Sequence, residues 1–238
     1  MMSDRPRQAH LTSGFHARGV LPHVKQEGGT YFVTFREAGT LPRAVLARFK
    51  LERDLIIDQA LATKRPLTWH EQQLLFRWYS DCVDGYLDAG HGECRLRQPQ
   101  CADVVSRALA FFDGERYELR AWVVMANHVH AIVRPKPPHT LSGILHSWKS
   151  YTAHELNKLL AKKVSRFWQS ESYDHLIRDD DDLHRCSHYT IMNPVNAGLC
   201  QEPQLWPWSS AYVPPKTDGE TPSRPAGEDT CATKTRFQ

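Results

Sequence analysis

Two stretches of alternating side chains, from Tyr117 to Met125 and from His128 to Arg134, restrict most strongly what this chain can fold into. Side chains of a strand point to opposite faces in turn, so each stretch predicts a β-strand with two distinct faces. Asn127 lies between them and tolerates the backbone angles of a tight turn. We therefore expect an antiparallel hairpin, and a fold that covers at least one of its faces.

The second arm of this hairpin carries two histidines, His128 and His130, separated by one aliphatic residue. Both imidazoles point to the same face, with their bases about 7 Å apart, which is close enough for both to bind one metal ion. The same pair is also consistent with surface histidines on a half-exposed strand, because short metal motifs have false positives. These residues alone leave both interpretations open.

The order of elements around the hairpin predicts the fold. Tyr31–Phe35 is aromatic and β-branched, a helical region follows, and after the hairpin a long helix from Leu141 to Lys163 leads to an extended segment, Phe167–Ile177. A β-α-β-β-α-β order predicts an α+β, ferredoxin-like antiparallel sheet with helices on one face. Residues 43–113 are too many for one crossover, so we expect an inserted helical lobe between the first two strands.

Three regions are expected along the chain. Residues 1–28 are polar and predict a flexible N-terminal lead, residues 29–213 predict the main folded domain, and residues 214–238, rich in Pro, Thr, Gly and charge, predict a disordered tail.

Two helix boundaries have specific signals in the sequence. Within the lobe, Thr68 and Glu71 predict a capping box that starts a helix reaching Leu87. Near the end of the domain, a helix from Leu183 is expected to stop at Met192, before Asn193-Pro194.

Composition excludes several classes of protein. The chain has 238 residues, 41% hydrophobic and 24% charged, without an apolar run long enough to span a bilayer and without a signal peptide, so we expect a cytoplasmic protein that does not bind membranes. Six cysteines without a CxxC pair indicate reduced thiols. A net charge of +3 permits a nucleic-acid partner without arguing for one.

Tyr151 and Glu155 lie four residues apart on the long helix and therefore share one helix face. A tyrosine at such a position is usually a core or rim residue. Beside two metal-binding histidines, Tyr151 would be a candidate nucleophile and Glu155 a candidate third ligand. Asn157 points about 200° away from Glu155 and is the weaker candidate.

Six motifs occur in one order along the chain. They are Met125–His130, Trp148–Ala153 with Asn157 beyond it, Phe167–Gln169, Tyr173–Arg178, Asn193–Leu199 and Trp206–Ser210. With these motifs the chain resembles the REP-associated tyrosine transposases, a branch of the single-tyrosine HUH transposases. The resemblance runs from about residue 30 to residue 211.

The resemblance implies an enzyme that cleaves and joins single-stranded DNA through a 5′-phosphotyrosine, with Tyr151 as nucleophile. It further implies a divalent ion, Mg²⁺ or Mn²⁺, held by His128, His130 and Glu155. Two imidazoles and an oxygen also suit Zn²⁺ or Fe²⁺. The alternative function is that of a domesticated DNA-binding protein that acts on repetitive palindromic hairpins without transposing itself.

The implied partner is single-stranded DNA with a hairpin, in a bacterial, nucleoid-associated protein for which a monomer is favoured over a dimer. Each residue below is equally consistent with a solvated charge, a polar network or a packed aromatic. The candidate DNA contacts are Arg36, Lys149, Asp174, His175, Arg178 and Trp208.

Overall fold

The computed structural model describes residues 14–18, 21–26, 28–63, 65, 67–68, 70–71, 74–75, 77, 83, 85–161 and 166–215. Its centre is a four-stranded antiparallel sheet, formed by β3 (Thr30–Arg36), β4 (Tyr117–Val124), β5 (His128–Pro135) and β6 (Tyr173–Ile177). The spatial order of these strands is β4-β5-β3-β6. This order is the one that β-α-β-β-α-β connectivity predicts, so the α+β, ferredoxin-like prediction is confirmed.

One face of the sheet is covered by the two crossover helices, α3 (Pro99–Ala110) and α4 (Leu141–Leu159). The aliphatic residues of β5 that alternate with the histidines point to this face. Val129, Ala131 and Val133 are fully buried there in one core with residues of both helices. The crossover helices therefore lie on one face, as predicted.

The opposite face is covered by α5 (Asp180–Asn196), for which the sequence analysis provided no place on the sheet. The helix is also longer than predicted, because it continues through Pro194 to Asn196 instead of stopping at Met192. A proline this close to the C-terminal end removes little of the helical hydrogen bonding. Asn193 is therefore helical and lies one turn after Tyr189.

Between β3 and β4 the chain forms the predicted helical lobe. Its helices include α1 (Arg43–Ala62) and α2 (Gly85–Asp88). Half of the residues of the helix predicted from Thr68 to Leu87 fall outside the described residues. The capping box is present: Glu71 N–H donates to Thr68 Oγ1 over 3.3 Å, and Thr68 N–H donates to Glu71 Oε2 over 2.8 Å.

The predicted N-terminal lead contains a short β-hairpin. β1 (Gly14–Arg18) pairs antiparallel with β2 (Leu21–Lys25). Backbone hydrogen bonds across a short hairpin need no apolar run, so composition did not predict them. Residues 216–238 of the predicted tail lie outside the described residues. Within the described residues, no helix is long and apolar enough to cross a membrane.

Candidate metal and nucleophile site

The two histidines of β5 are fully buried on the face of the sheet that α5 covers. Their Nε2 atoms are 3.1 Å apart. Burial lowers the pKa of His128 to about 3, and burial with the neighbouring His128 lowers the pKa of His130 well below its usual value. Both imidazoles are therefore neutral near pH 7, which is the state that binds metal ions.

Asn127 fixes the orientation of the first imidazole. Its Nδ2 donates to the carbonyls of Leu87, over 3.0 Å, and His91, over 2.8 Å, so its Oδ1 is the atom that faces the histidine. Oδ1 lies 2.8 Å from His128 Nδ1, which must donate because an amide oxygen only accepts. Nε2 of His128 therefore keeps its lone pair, as metal binding requires.

Thr34 makes the corresponding contact to the second imidazole. Its Oγ1 is 2.8 Å from His130 Nδ1, and a hydroxyl can either donate or accept there. When Thr34 donates, His130 carries its proton on Nε2 and donates it to His128 Nε2. When Thr34 accepts, the Nε2 lone pair of His130 is available as well. The contact thus allows His130 to change tautomer without losing a partner.

Helix α5 brings a tyrosine and an amide to the same place. The ring of Tyr189 meets the ring of His130 edge-on, with centroids 5.5 Å apart. Asn193, one turn further along α5, is 1% exposed, and its amide partly offsets the lowering of the His128 pKa. Its Oδ1 has no hydrogen-bond partner within the described part of the chain.

A carboxylate from the lobe faces the histidines from another direction. Asp88, the last residue of α2, places Oδ1 3.9 Å from His128 Nε2. This oxygen is also buried and has no hydrogen-bond partner among the residues that the structure describes. Burial raises the pKa of Asp88 to about 6.

These atoms fit a divalent cation. Buried acceptors normally have donors, and leaving one without a donor costs about 1–3 kcal/mol. Here a buried Asp88 oxygen lies 3.9 Å from His128 Nε2, the buried Asn193 amide interacts with His128, and the His130 Nε2 atom is 3.1 Å from that of His128. Imidazole nitrogens with amide and carboxylate oxygens form a donor set that binds Mn²⁺, Mg²⁺ or Zn²⁺.

The structure does not bring the predicted nucleophile, Tyr151, or the predicted ligand, Glu155, to the histidines. Both lie on α4, and the sheet separates α4 from the histidine face because β5 directs its aliphatic residues toward α4. Tyr151 is 56% exposed. Glu155 accepts a hydrogen bond of 2.9 Å from Lys158, which lowers its carboxyl pKa. The structure therefore does not bring Tyr151 and Glu155 together with the histidines, and the tyrosine and amide that do lie beside them are Tyr189 and Asn193 of α5.

Three of the predicted DNA contacts are engaged inside the protein. Arg36 is buried and donates to Thr40 Oγ1 over 3.0 Å, and Asp174 is buried in β6. Lys149 Nζ donates to the Ser170 carbonyl over 2.8 Å, and burial is the main cause that lowers its pKa to about 8. These contacts are those of the alternative interpretation, in which the side chains belong to polar networks of the protein itself.

The remaining three predicted contacts differ from one another. His175 is buried, and its Nε2 is 2.9 Å from Asp182 Oδ2. Trp208 is half-buried and donates to Asp103 Oδ1 over 2.8 Å. Arg178 is exposed. Of the six, Arg178 is the one whose exposure matches a DNA contact.

A second polar cluster lies at the start of α5. His175, Asp182 and Cys186 are all buried, with ligand atoms within 4.8 Å of one another. The Asp182 carboxylate already contacts His175 and accepts a 3.1 Å hydrogen bond from Arg185. Burial raises the pKa of the Cys186 thiol. The cluster joins β6 to α5 and so fixes the helix that carries Tyr189.

Sequence reasoning missed Tyr189, Asn193 and Asp88. Tyr189 and Asn193 have the same four-residue spacing as Tyr151 and Glu155, so the signal was present. The pair was not identified because the predicted helix ended at Met192 and so did not include Asn193. Asp88 has no local signal, because its position depends on how the lobe packs against the hairpin.

Comparison with known proteins agrees with the resemblance seen in the motifs. Residues 101–190 match the family model described as "Transposase IS200 like". The REP-associated tyrosine transposase of Escherichia coli strain K12 is 28% identical over 97 residues, which are 40% of this chain and 55% of that protein. A putative REP-associated tyrosine transposase of Haemophilus influenzae is 40% identical over 50 residues, 21% of this chain and 28% of that protein. The chain thus spans about half the length, or less, of the curated relatives that it matches.

Two solved structures were also compared. One, described as a REP-associated tyrosine transposase bound to a REP hairpin, has a TM-score of 0.48 and 19% identity, covering 87% of this chain and 95% of that one. The other, a putative transposase from Deinococcus radiodurans, has a TM-score of 0.32 and 13% identity, covering 73% of this chain and 93% of that one. The predicted resemblance to REP-associated tyrosine transposases is confirmed by the family model and the curated relatives.

Proposed function

We propose that this chain, which resembles the REP-associated tyrosine transposases, cleaves and rejoins single-stranded DNA with Tyr189 as nucleophile. The observation that carries the proposal is that α5 places the Tyr189 ring against His130 and the Asn193 amide against His128, where the two imidazole Nε2 atoms are 3.1 Å apart. The match of residues 101–190 to a transposase family model supports it.

The proposed reaction exchanges one phosphoester for another. The Tyr189 oxygen attacks a backbone phosphorus, the bond from phosphorus to the 3′-oxygen breaks, and a 5′-phosphotyrosine and a free 3′-hydroxyl result. The proton lost by the phenol balances the proton gained by the 3′-oxygen. A 3′-hydroxyl that attacks the phosphotyrosine reverses the step and joins strands, so no external energy source is needed.

His128, His130 and Asn193 would hold a divalent ion, Mg²⁺ or Mn²⁺, beside the tyrosine. When bound, this ion neutralises charge on the phosphoryl oxygens and polarises the phosphorus toward attack. The protein residues do the positioning. Asn127 keeps the His128 lone pair directed at the site, and α5 holds the phenol one helical turn from the amide ligand.

Single-stranded DNA with a hairpin is the proposed substrate, in line with the resemblance to REP-associated tyrosine transposases. Tyr189, Asn193 and both histidines come from a single chain. We therefore propose that one copy is sufficient for cleavage, in agreement with the preference for a monomer.

A matched pair of variants tests the nucleophile. Single-stranded hairpin DNA labelled at its 3′ end is incubated with the protein and Mn²⁺, and the covalent adduct is measured on a denaturing gel. Tyr189→Phe is expected to reduce the adduct by about 10³-fold or more, because a phenyl ring has no oxygen to attack with. Tyr151→Phe, which removes the same atom on the other side of the sheet, is expected to give the wild-type amount.

The opposite outcome, with the adduct lost in Tyr151→Phe and kept in Tyr189→Phe, would overturn the assignment. Binding of the same DNA is followed in parallel by fluorescence anisotropy. If the wild-type protein binds the hairpin and forms no adduct with Mn²⁺ or Mg²⁺, the domesticated DNA-binding protein is the correct alternative.

A further inference from the structure

Asp88 lies outside the transposase-like region 101–190 and belongs to the lobe inserted between β3 and β4. Nevertheless, its Oδ1 is 3.9 Å from His128 Nε2. The position is not accidental, because the chain just around Asp88 is fixed on both sides. The carbonyls of Leu87 and His91 both accept hydrogen bonds from the Asn127 amide, and Leu87 is buried in the core under α5.

The contact between Asp88 and His128 is not an ordinary ion pair. Nδ1 of His128 donates to Asn127, and the neutral ring therefore has a lone pair on Nε2. Two acceptors thus face each other, and Asp88 Oδ1 receives no hydrogen bond from the described residues. Such an arrangement is unfavourable in a protein interior unless a hydrogen-bond donor or a cation satisfies the two atoms.

The other candidate ligands lack a negative charge. Two imidazoles and the Asn193 amide are all neutral, and Mg²⁺ and Mn²⁺ bind such sets weakly because they prefer hard, anionic oxygens. Among the described residues, Asp88 is the acid that has an oxygen within 4 Å of His128 Nε2. Its carboxylate supplies the anionic oxygen that the three neutral ligands lack.

We propose that Asp88 is a fourth protein ligand of the divalent cation, contributed by the inserted lobe. This inference rests on the proposed metal site of His128, His130 and Asn193. The lobe is then part of the site and not an appendage, because it delivers the one anionic ligand. The carboxylate ligand also favours hard divalent cations over metal ions that prefer nitrogen ligands.

The test is calorimetric titration of metal-free, full-length protein with Mn²⁺, which requires no DNA and no turnover. Asp88→Asn retains the shape of the side chain and removes its charge, and we expect it to weaken Mn²⁺ binding by about tenfold or more. Asp88→Ala is expected to weaken binding at least as much. Glu93→Gln is the control, because Glu93 is an exposed acid of the same lobe that pairs with Arg95. It is expected to bind as the wild type does.

One further variant separates failure of this inference from failure of the proposed function. His130→Phe removes both ring nitrogens and keeps an aromatic ring against Phe32, which stacks on His130 at 5.4 Å. If His130→Phe loses Mn²⁺ binding while both folded Asp88 variants titrate like the wild type, the role of Asp88 is overturned and the metal site stands. If His130→Phe also titrates like the wild type, the metal site fails and the inference fails with it. Thermal unfolding of each variant verifies that it is folded.

Discussion

The two faces of the sheet differ in how their buried polar atoms are satisfied. On the face under α3 and α4, Trp168 Nε1 donates to Thr152 Oγ1, Thr152 Oγ1 donates to the Trp148 carbonyl, and Trp148 Nε1 donates to the Tyr117 hydroxyl. Tyr117 in turn donates to the Leu109 carbonyl. Every polar group in this series has a partner, so the face is complete without a ligand.

The face under α5 has the opposite character. His128 and His130 point their Nε2 atoms at each other, and the oxygens of Asn193 and Asp88 lack donors in the described structure. The same strand, β5, serves both faces, because its alternate residues are aliphatic on one side and imidazole on the other. One face of β5 is therefore satisfied by groups of the protein itself, and the other presents acceptors that are available to a ligand.

The largest expected effect is a loss of stability on the complete face. Trp148 is 3% exposed and central to the core there. Trp148→Ala is expected to lower the free energy of unfolding by about 3–5 kcal/mol, measured by urea denaturation, because it leaves a large cavity. At temperatures where the variant is folded, the DNA adduct per folded molecule should equal that of the wild type. Loss of the adduct in folded Trp148→Ala would show that the faces are not separate.

A smaller effect is expected from Asn127, which serves the other face. Asn127→Ala removes the acceptor that orients His128, and we expect Mn²⁺ affinity to fall by about 10–100-fold in a calorimetric titration. The free energy of unfolding should also fall by about 1–3 kcal/mol, because two lobe carbonyls lose their donor. Asn196→Ala, at an exposed position of α5, is the control and should change neither quantity. Unchanged Mn²⁺ affinity in Asn127→Ala would contradict the orienting role.

The smallest and most discriminating effect comes from a pair of buried threonines on opposite faces. Thr34→Val removes the partner of His130 Nδ1, and we expect Mn²⁺ affinity to fall by up to about tenfold. Thr152→Val leaves Trp168 Nε1 without its acceptor and should lower the free energy of unfolding by about 1–3 kcal/mol. Thr152→Val should leave Mn²⁺ binding unchanged. An equal loss of affinity in both variants would indicate a general packing effect.

The sequence was sufficient to predict the sheet and the histidine pair, because both follow from the two-residue period of a strand. It was not sufficient to identify the partner helix. Tyr151 with Glu155 and Tyr189 with Asn193 have the same helical spacing, and periodicity gives the face of a helix but not the side of the sheet on which it packs. The missing step was topological. Crossover helices share the face to which β5 directs Val129 and Ala131, so the histidines must meet a different helix.

Asp88 illustrates what sequence reasoning does not reach. Its neighbours in the sequence form a short helix and a turn at Gly90, where φ is +74°. Nothing in that local pattern relates Asp88 to His128, which lies 40 residues further along the chain. The relation arises from the packing of Leu87 and from the hydrogen bonds of Asn127, which are tertiary contacts.

The amide of Asn127 links the position of the lobe to the position of a proton. The NH₂ group of this amide donates to the lobe carbonyls of Leu87 and His91, so its oxygen is the atom that faces His128. If the lobe moves away from the hairpin, the amide is free to rotate by half a turn and to present NH₂ to His128 Nδ1. The imidazole then carries its proton on Nε2, where it occupies the lone pair that a cation needs. The contact between the lobe and Asn127 therefore determines which nitrogen of His128 carries the proton.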